Sequence, residues 1–194
     1  MLRKPMTSGL SDRPQPAGVE SQCRERLRRA LLRVFLLASI FSSFIVACAV
    51  FGIRFNLTKS LPGLIYIITG DNSSPLVEFC PEGISAQLSK ERGYRRLGTC
   101  PDGAAPMLKP VVAKAGDIVE VSANGITVNG TLLRNTAPRG KDSRGRPLMP
   151  WPFGTYRVCS GFVWVASEYN ALSFDSRYYG PIRASRIRHH LRPL

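Results

Sequence analysis

The sequence predicts a mostly β protein behind a single N-terminal apolar helix, and three observations predict it. Val34 to Ile53 is an uncharged run of 20 residues near the N-terminus, about the ~20 needed to cross a bilayer core. After it, no stretch sustains a helical apolar period. Short apolar or alternating runs recur there instead, punctuated by Gly, Asn, Asp and Pro. With 194 residues, the chain is long enough for one domain plus an anchor.

Residues 1–33 carry eight basic and three acidic residues. They read as a disordered basic cytoplasmic tail, Pro-, Gly- and Ser-rich over 1–20, with a basic helical start over 21–33. The arginines at 24, 26, 28, 29 and 33 precede the run, and only Arg54 and Lys59 follow it closely. The positive-inside rule then places the N-terminus in the cytoplasm and the remainder outside. Residues 34–53 read as an uncleaved transmembrane helix. A signal peptide cut near Ala47-Cys48-Ala49, or an acylation site ending at Cys48, is the alternative. All three readings export 54–194.

Within 54–194 the expected strands are Leu64–Thr69, Leu76–Phe79, Leu108–Ala113, Ile118–Ser122, Ile126–Val128 and Phe162–Ala166. Asn124-Gly125 and Asn129-Gly130 supply hairpin turns. The pattern is that of antiparallel sheets. Segment 136–160 reads as a polar loop or edge insertion. The formal net charge of +14 fits nucleic acid or an anionic membrane surface. With an apolar anchor present and no zinc-finger spacing or RNP-like run, a lipid bilayer is the expected partner and nucleic acid is not. None of the five cysteines forms a CxxC pair, which argues against a zinc site.

Two residues draw attention as chemistry. Ser60 lies in Thr58-Lys59-Ser60-Leu61-Pro62, seven residues past Ile53, a linker reaching at most ~25 Å. A nucleophile there would act at the bilayer face, on membrane-associated chains. Alone, it reads better as a turn serine before Leu-Pro. A serine needs a base. His189 and His190 sit among Arg186, Arg188 and Arg192 and read as a solvated basic tail. Lys109 is the one lysine embedded in an apolar run, Met107 to Ala113. Burial would favour its neutral amine, whereas the wet face of a strand would not. Thr58, two residues before Ser60 on an extended segment, shares its side and could join the Ser60 N–H in holding an oxyanion.

Three ordered segments carry a resemblance: Ser60-Leu61-Pro62 after the anchor, Leu108-Lys109-Pro110 running to Gly116-Asp117, and Ser173-Phe174-Asp175-Ser176-Arg177-Tyr178-Tyr179-Gly180-Pro181. They resemble the boxes of type I signal peptidases, the S26 serine peptidases. Phe79-Cys80-Pro81, Arg92-Gly93-Tyr94, Cys100-Pro101 and Gly145-Arg146-Pro147-Leu148 are similar to its TraF branch of conjugative-transfer peptidases. The resemblance covers 54–194 and implies a signal-peptidase-like antiparallel β domain. It implies Ser60 as nucleophile and Lys109 as general base. It implies Ser173 as the hydroxyl orienting the lysine, and Asp175 with Arg177 as a bracing ion pair, Asp175 having a more direct part in the TraF branch. Ser176 still reads as a surface turn.

The implied activity is a membrane-anchored serine endopeptidase of the bacterial inner membrane, its catalytic domain periplasmic. It needs no metal or organic cofactor. Its substrate would be a membrane-associated, pilin-like precursor, either hydrolysed or cyclised. A general type I signal peptidase and a non-catalytic scaffold of a secretion apparatus are the alternatives. Cys80 and Cys100 bracket a polar excursion and are either a disulfide or two free thiols; Cys159 is left over.

Overall fold

A computed structural model describes residues 17–56, 58 and 60–194, with 17–21 and 23 described by backbone alone. The expectations for 1–16 lie outside the described residues. The chain divides into two units, residues 1–47 and 48–194.

The first unit is dominated by helix α1 (Ala17–Val50), which takes in 17–33, where the sequence reading places a disordered tail ending in a helical start. Arg24–Val50 is long and apolar enough to cross a membrane. Its Leu, Phe and Ile side chains are exposed, as a helix that is apolar all round requires of a lipid-facing segment. The helix stops three residues short of Ile53. Gly52 takes the left-handed conformation (φ 68°) and its N–H reaches the Ala49 carbonyl at 3.2 Å, turning the chain out of the helix.

The second unit is built on two antiparallel sheets. The larger contains β1 (Ile53–Phe55), β2 (Ile65–Thr69), β3 (Leu76–Phe79), β4 (Met107–Ala113), β9 (Phe162–Val165), β10 (Ile182–Arg183) and β11 (Ile187–Pro193). Their spatial order is β1-β2-β11-β3-β4-β9-β10. The smaller contains β5 (Ile118–Ser122), β6 (Gly125–Val128), β7 (Thr131–Leu132) and β8 (Gly154–Arg157), in the order β7-β6-β5-β8. The alternating and apolar runs of the sequence therefore become strands within a residue or two of the expected bounds.

Three expectations are corrected. The C-terminal run is no solvated tail: β11 inserts between β2 and β3, pairing Leu191 with Ile68 and with Leu76. Leu191 is fully buried, because the strand period of two turns it inward between polar neighbours. Segment 136–160 is more than a loop, since β8 forms within it and pairs with β5, and Leu148 and Val158 enter the core. In the first hairpin the two-residue loop is Ala123-Asn124, with Gly125 already paired to Ser122. A Cβ on Gly125 would lie 2.5 Å from Thr136 Oγ1, so the glycine serves close approach. Asn129-Gly130 is the two-residue turn expected, with both φ values positive.

Three apolar clusters lie within this unit. Val77, Phe79, Met107, Val165 and Phe174 form one. Val119, Val121, Ile126 and Trp164 form a second under the smaller sheet, and Leu61, Tyr66, Leu76 and Leu191 a third beside the Ser60 turn. The excursion between β3 and β4 carries helix α2 (Gly83–Glu91), and a disulfide joins Cys80 to Cys100. Arg95, buried, pairs with Asp102 and donates to Ser89 Oγ at 2.7 Å, which packs the excursion that has little apolar core of its own. Cys159 is free and exposed.

Candidate active site

Lys109 sits at the middle of β4, where the Val77–Lys109 pairing with β3 fixes its height in the sheet. Alternation along the strand turns Lys109 to the same side as Met107, and both are buried. The amine that the apolar run carries in is thus desolvated by the sheet itself. Burial pushes the Lys109 pKa down to about 8, against the pull of the Asp175 carboxylate and with a smaller push from Arg177.

Two hydroxyls meet that amine. Lys109 Nζ lies 2.8 Å from Ser60 Oγ and 2.8 Å from Ser173 Oγ, although the three residues are 49 and 64 positions apart. Ser60 and Ser173 are themselves buried. A neutral Nζ can accept the Ser60 proton while donating to Ser173 Oγ, which fixes the direction of its lone pair.

Ser60 lies in a turn between β1 and β2, held by side chains. Asn56 N–H donates to the Leu64 carbonyl at 2.8 Å. Gly63 N–H donates to Tyr66 Oη at 2.9 Å. Ser167 Oγ donates to the Ser60 carbonyl at 2.5 Å. Thr58 Oγ1 is 3.3 Å from Ser60 Oγ and donates to Asn56 Oδ1 at 2.9 Å. Thr58 is therefore beside Ser60, as expected, with its proton engaged elsewhere.

Asp175 caps the short helix α3 (Ser176–Tyr179). Arg177 Nε and Nη2 meet its two carboxylate oxygens at 2.8 and 3.0 Å. The remaining guanidinium donors reach the carbonyls of Asn135, Ala171 and Ser167. Both residues are fully buried, and a buried bidentate pair with every donor used is the arrangement that offsets its desolvation. Ser176 is not at the surface: it is fully buried and its Oγ accepts from Val165 N–H at 2.9 Å, since the α3 turn tucks it against β9.

Every site residue expected from the sequence except the cysteines thus gathers around Lys109 or in the ion pair that supports it. Cys80 and Cys100 lie in the excursion and staple it. His190 Nδ1 instead meets the Ser74 carbonyl at 2.8 Å. Among the described residues no group of His, Cys, Asp and Glu is placed to hold a metal ion. Sequence reasoning missed Asn56 and Ser167. Ser167 follows β9; its N–H binds Asp175 Oδ2 at 3.0 Å, its carbonyl binds Arg177, and its hydroxyl binds the Ser60 backbone. The only local signal for Asn56 is its spacing, two residues before Thr58 and four before Ser60, the alternation that would put all three on one side of an extended segment.

Ser60, Lys109 and Ser173 open into a cleft of about 510 Å³, walled by Tyr94, Leu108, Phe174 and Tyr178 among others. A hydroxyl on a desolvated amine, both lining an open cleft, has the parts needed for acyl transfer to serine. The model of the family described as signal peptidase, peptidase S26, matches residues 31–192, and the chain belongs to that family. It is 39% identical over 149 residues to a plasmid transfer protein TraF of Escherichia coli, covering 74% of this chain and 82% of that one. It is 33% identical over 173 residues to the conjugal transfer protein TraF of Agrobacterium fabrum strain C58, covering 86% and 96%. A solved signal peptidase I from Enterococcus faecalis V583 overlays with TM-score 0.35 at 15% identity, covering 64% of this chain and 99% of that one.

Proposed function

We propose that this chain is a membrane-anchored serine endopeptidase in which Ser60 is the nucleophile and Lys109 the general base. The observation that supports this reading most directly is Lys109 Nζ, buried and at 2.8 Å from both Ser60 Oγ and Ser173 Oγ. Lys109 takes the Ser60 proton as Oγ attacks the scissile carbonyl. The oxyanion is met by the Ser60 N–H and the Thr58 hydroxyl. As the C–N bond breaks, the Lys109 ammonium returns the proton to the leaving amine, and an ester remains on Ser60. A second nucleophile, deprotonated by Lys109, then releases the product.

The basic flank of α1 supports a topology with the N-terminus in the cytoplasm and residues 54–194 on the outer face of a bacterial inner membrane. The kinship with conjugal transfer proteins supports a membrane-associated, pilin-like precursor as the substrate. If water is the second nucleophile the product is linear; if it is the precursor's own amino terminus the product is cyclic.

Ser60→Ala and Lys109→Met tested on a membrane-inserted precursor, with processing followed on a gel, decide the reading. Each should lower the rate by about 10³-fold or more. Wild-type processing by either variant would sink it. Mass spectrometry of the product separates the two outcomes, since the cyclic form is one water lighter.

A further inference from the structure

The Ser60 turn contains one buried polar side chain that the reaction as written does not use. Asn56 is 7% exposed and its amide makes four contacts, all within the turn. Nδ2 donates to the Leu61 carbonyl at 3.3 Å and to the Gly63 carbonyl at 3.1 Å. Carbonyls only accept, so these two bonds fix the amide's orientation and aim Oδ1 at Thr58. Oδ1 accepts from Thr58 N–H at 3.3 Å and from Thr58 Oγ1–H at 2.9 Å.

A threonine hydroxyl has one proton. With that proton on Asn56, Thr58 Oγ1 meets Ser60 Oγ, 3.3 Å away, only as an acceptor. That contact is longer than an ordinary O–H···O bond, so Ser60 keeps its own proton for Lys109 Nζ at 2.8 Å. In the resting site the Thr58 proton is therefore withheld from both the nucleophile and the oxyanion position.

We propose that Asn56 is a positioning residue that holds the Thr58 hydroxyl beside Ser60 and keeps its proton until charge develops on the substrate oxygen. The inference rests on the Ser60–Lys109 reading above. As the tetrahedral oxyanion forms, the Thr58 O–H rotates from Asn56 Oδ1 to that oxygen. Asn56 Oδ1 retains the Thr58 N–H, so no buried acceptor is orphaned by the move. The interaction gains strength only in the transition state, so its loss lowers kcat and leaves KM in place. A purely structural asparagine would act through the stability of the turn and would not depend on the Thr58 hydroxyl.

The test is a double-mutant cycle on the full-length protein in detergent micelles, with a precursor as substrate. Asn56→Ala, Thr58→Val, the double variant, Thr58→Ser and Ser60→Ala are compared for kcat, KM and thermal midpoint. Asn56→Ala and Thr58→Val should each lower kcat roughly tenfold to hundredfold, with KM within about twofold. The double variant should be no slower than the slower single variant, and Thr58→Ser, which keeps the hydroxyl, should lose less kcat than Thr58→Val. Wild-type kcat in Asn56→Ala, or losses that multiply in the double variant, would overturn the inference while an inactive Ser60→Ala leaves the dyad standing. An active Ser60→Ala removes the dyad and this inference with it. Asn56→Leu, of nearly the same size, serves where alanine does not fold: it has no acceptor for the Thr58 hydroxyl, and wild-type kcat in it would likewise overturn the proposal.

Discussion

The two halves of the candidate site are built by different means. Lys109 is carried on a central strand with paired neighbours on both sides, β3 and β9. Its position follows from backbone ladders and from the Asp175–Arg177 pair behind it. Ser60 is carried on an irregular turn whose shape depends on single side-chain hydrogen bonds from Asn56, Tyr66 and Ser167. The amine is thus held by many cooperative contacts and the hydroxyl by a few separable ones. A firmly held, desolvated amine beside a locally tunable hydroxyl is a division of labour that single substitutions can take apart.

The largest effect is expected on the base side. Arg177→Met leaves the Asp175 carboxylate buried and unpaired, which costs about 3–5 kcal/mol. Chemical denaturation should show that loss, and processing should fall with it because Ser167, and through it the Ser60 carbonyl, loses its anchor. A stability change below about 1 kcal/mol would mean that the two halves are not coupled through this pair.

Lys109→Met sharpens the same half through pH. The folded Lys109 pKa is lowered to about 8 from 10.5, so the unfolded chain binds more protons between those values. Folding of the wild type is penalised fully below about pH 8, and the penalty lifts as pH rises toward 10.5. Lys109→Met has no such penalty. Its stability advantage over wild type should therefore be larger at pH 7 than at pH 10, and an unchanged gap would contradict a desolvated amine. By the same titration, processing by the wild type should rise with pH to a plateau above about 8.

The turn half should respond least in stability. Tyr66→Phe removes the acceptor of Gly63 N–H and costs about 1 kcal/mol, with a drop in kcat of several-fold and an unshifted pH profile. A shifted profile would show that the turn also tunes Lys109.

Much of this architecture was legible in the chain. Strand periodicity marks β3 and β5 to the residue, and the lone lysine in an apolar run marks Lys109, because alternation and burial are local properties. The ordered boxes at Ser60, Lys109 and Ser173–Arg177 mark the family. Local pattern could not place β11: its arginines and histidines read as a solvated tail, since whether an alternating strand is central or exposed depends on which edges remain open. Nor could it mark Ser176 or Ser167, whose burial follows from α3 closing onto β9.

By itself, then, the sequence determined the apolar helix, strands β2 to β6 and β9, and Lys109 as the one lysine in an apolar run, from composition and spacing over a few residues, while the resemblance to signal peptidases singled out Ser60 and Ser173. Only the tertiary structure decided that Ser60 and Ser173 reach one amine from 49 and 64 positions away, and that Asn56 claims the Thr58 proton. Register and packing of distant strands set those distances. Hydrogen-bond direction depends on which partner sits opposite, which local sequence does not encode.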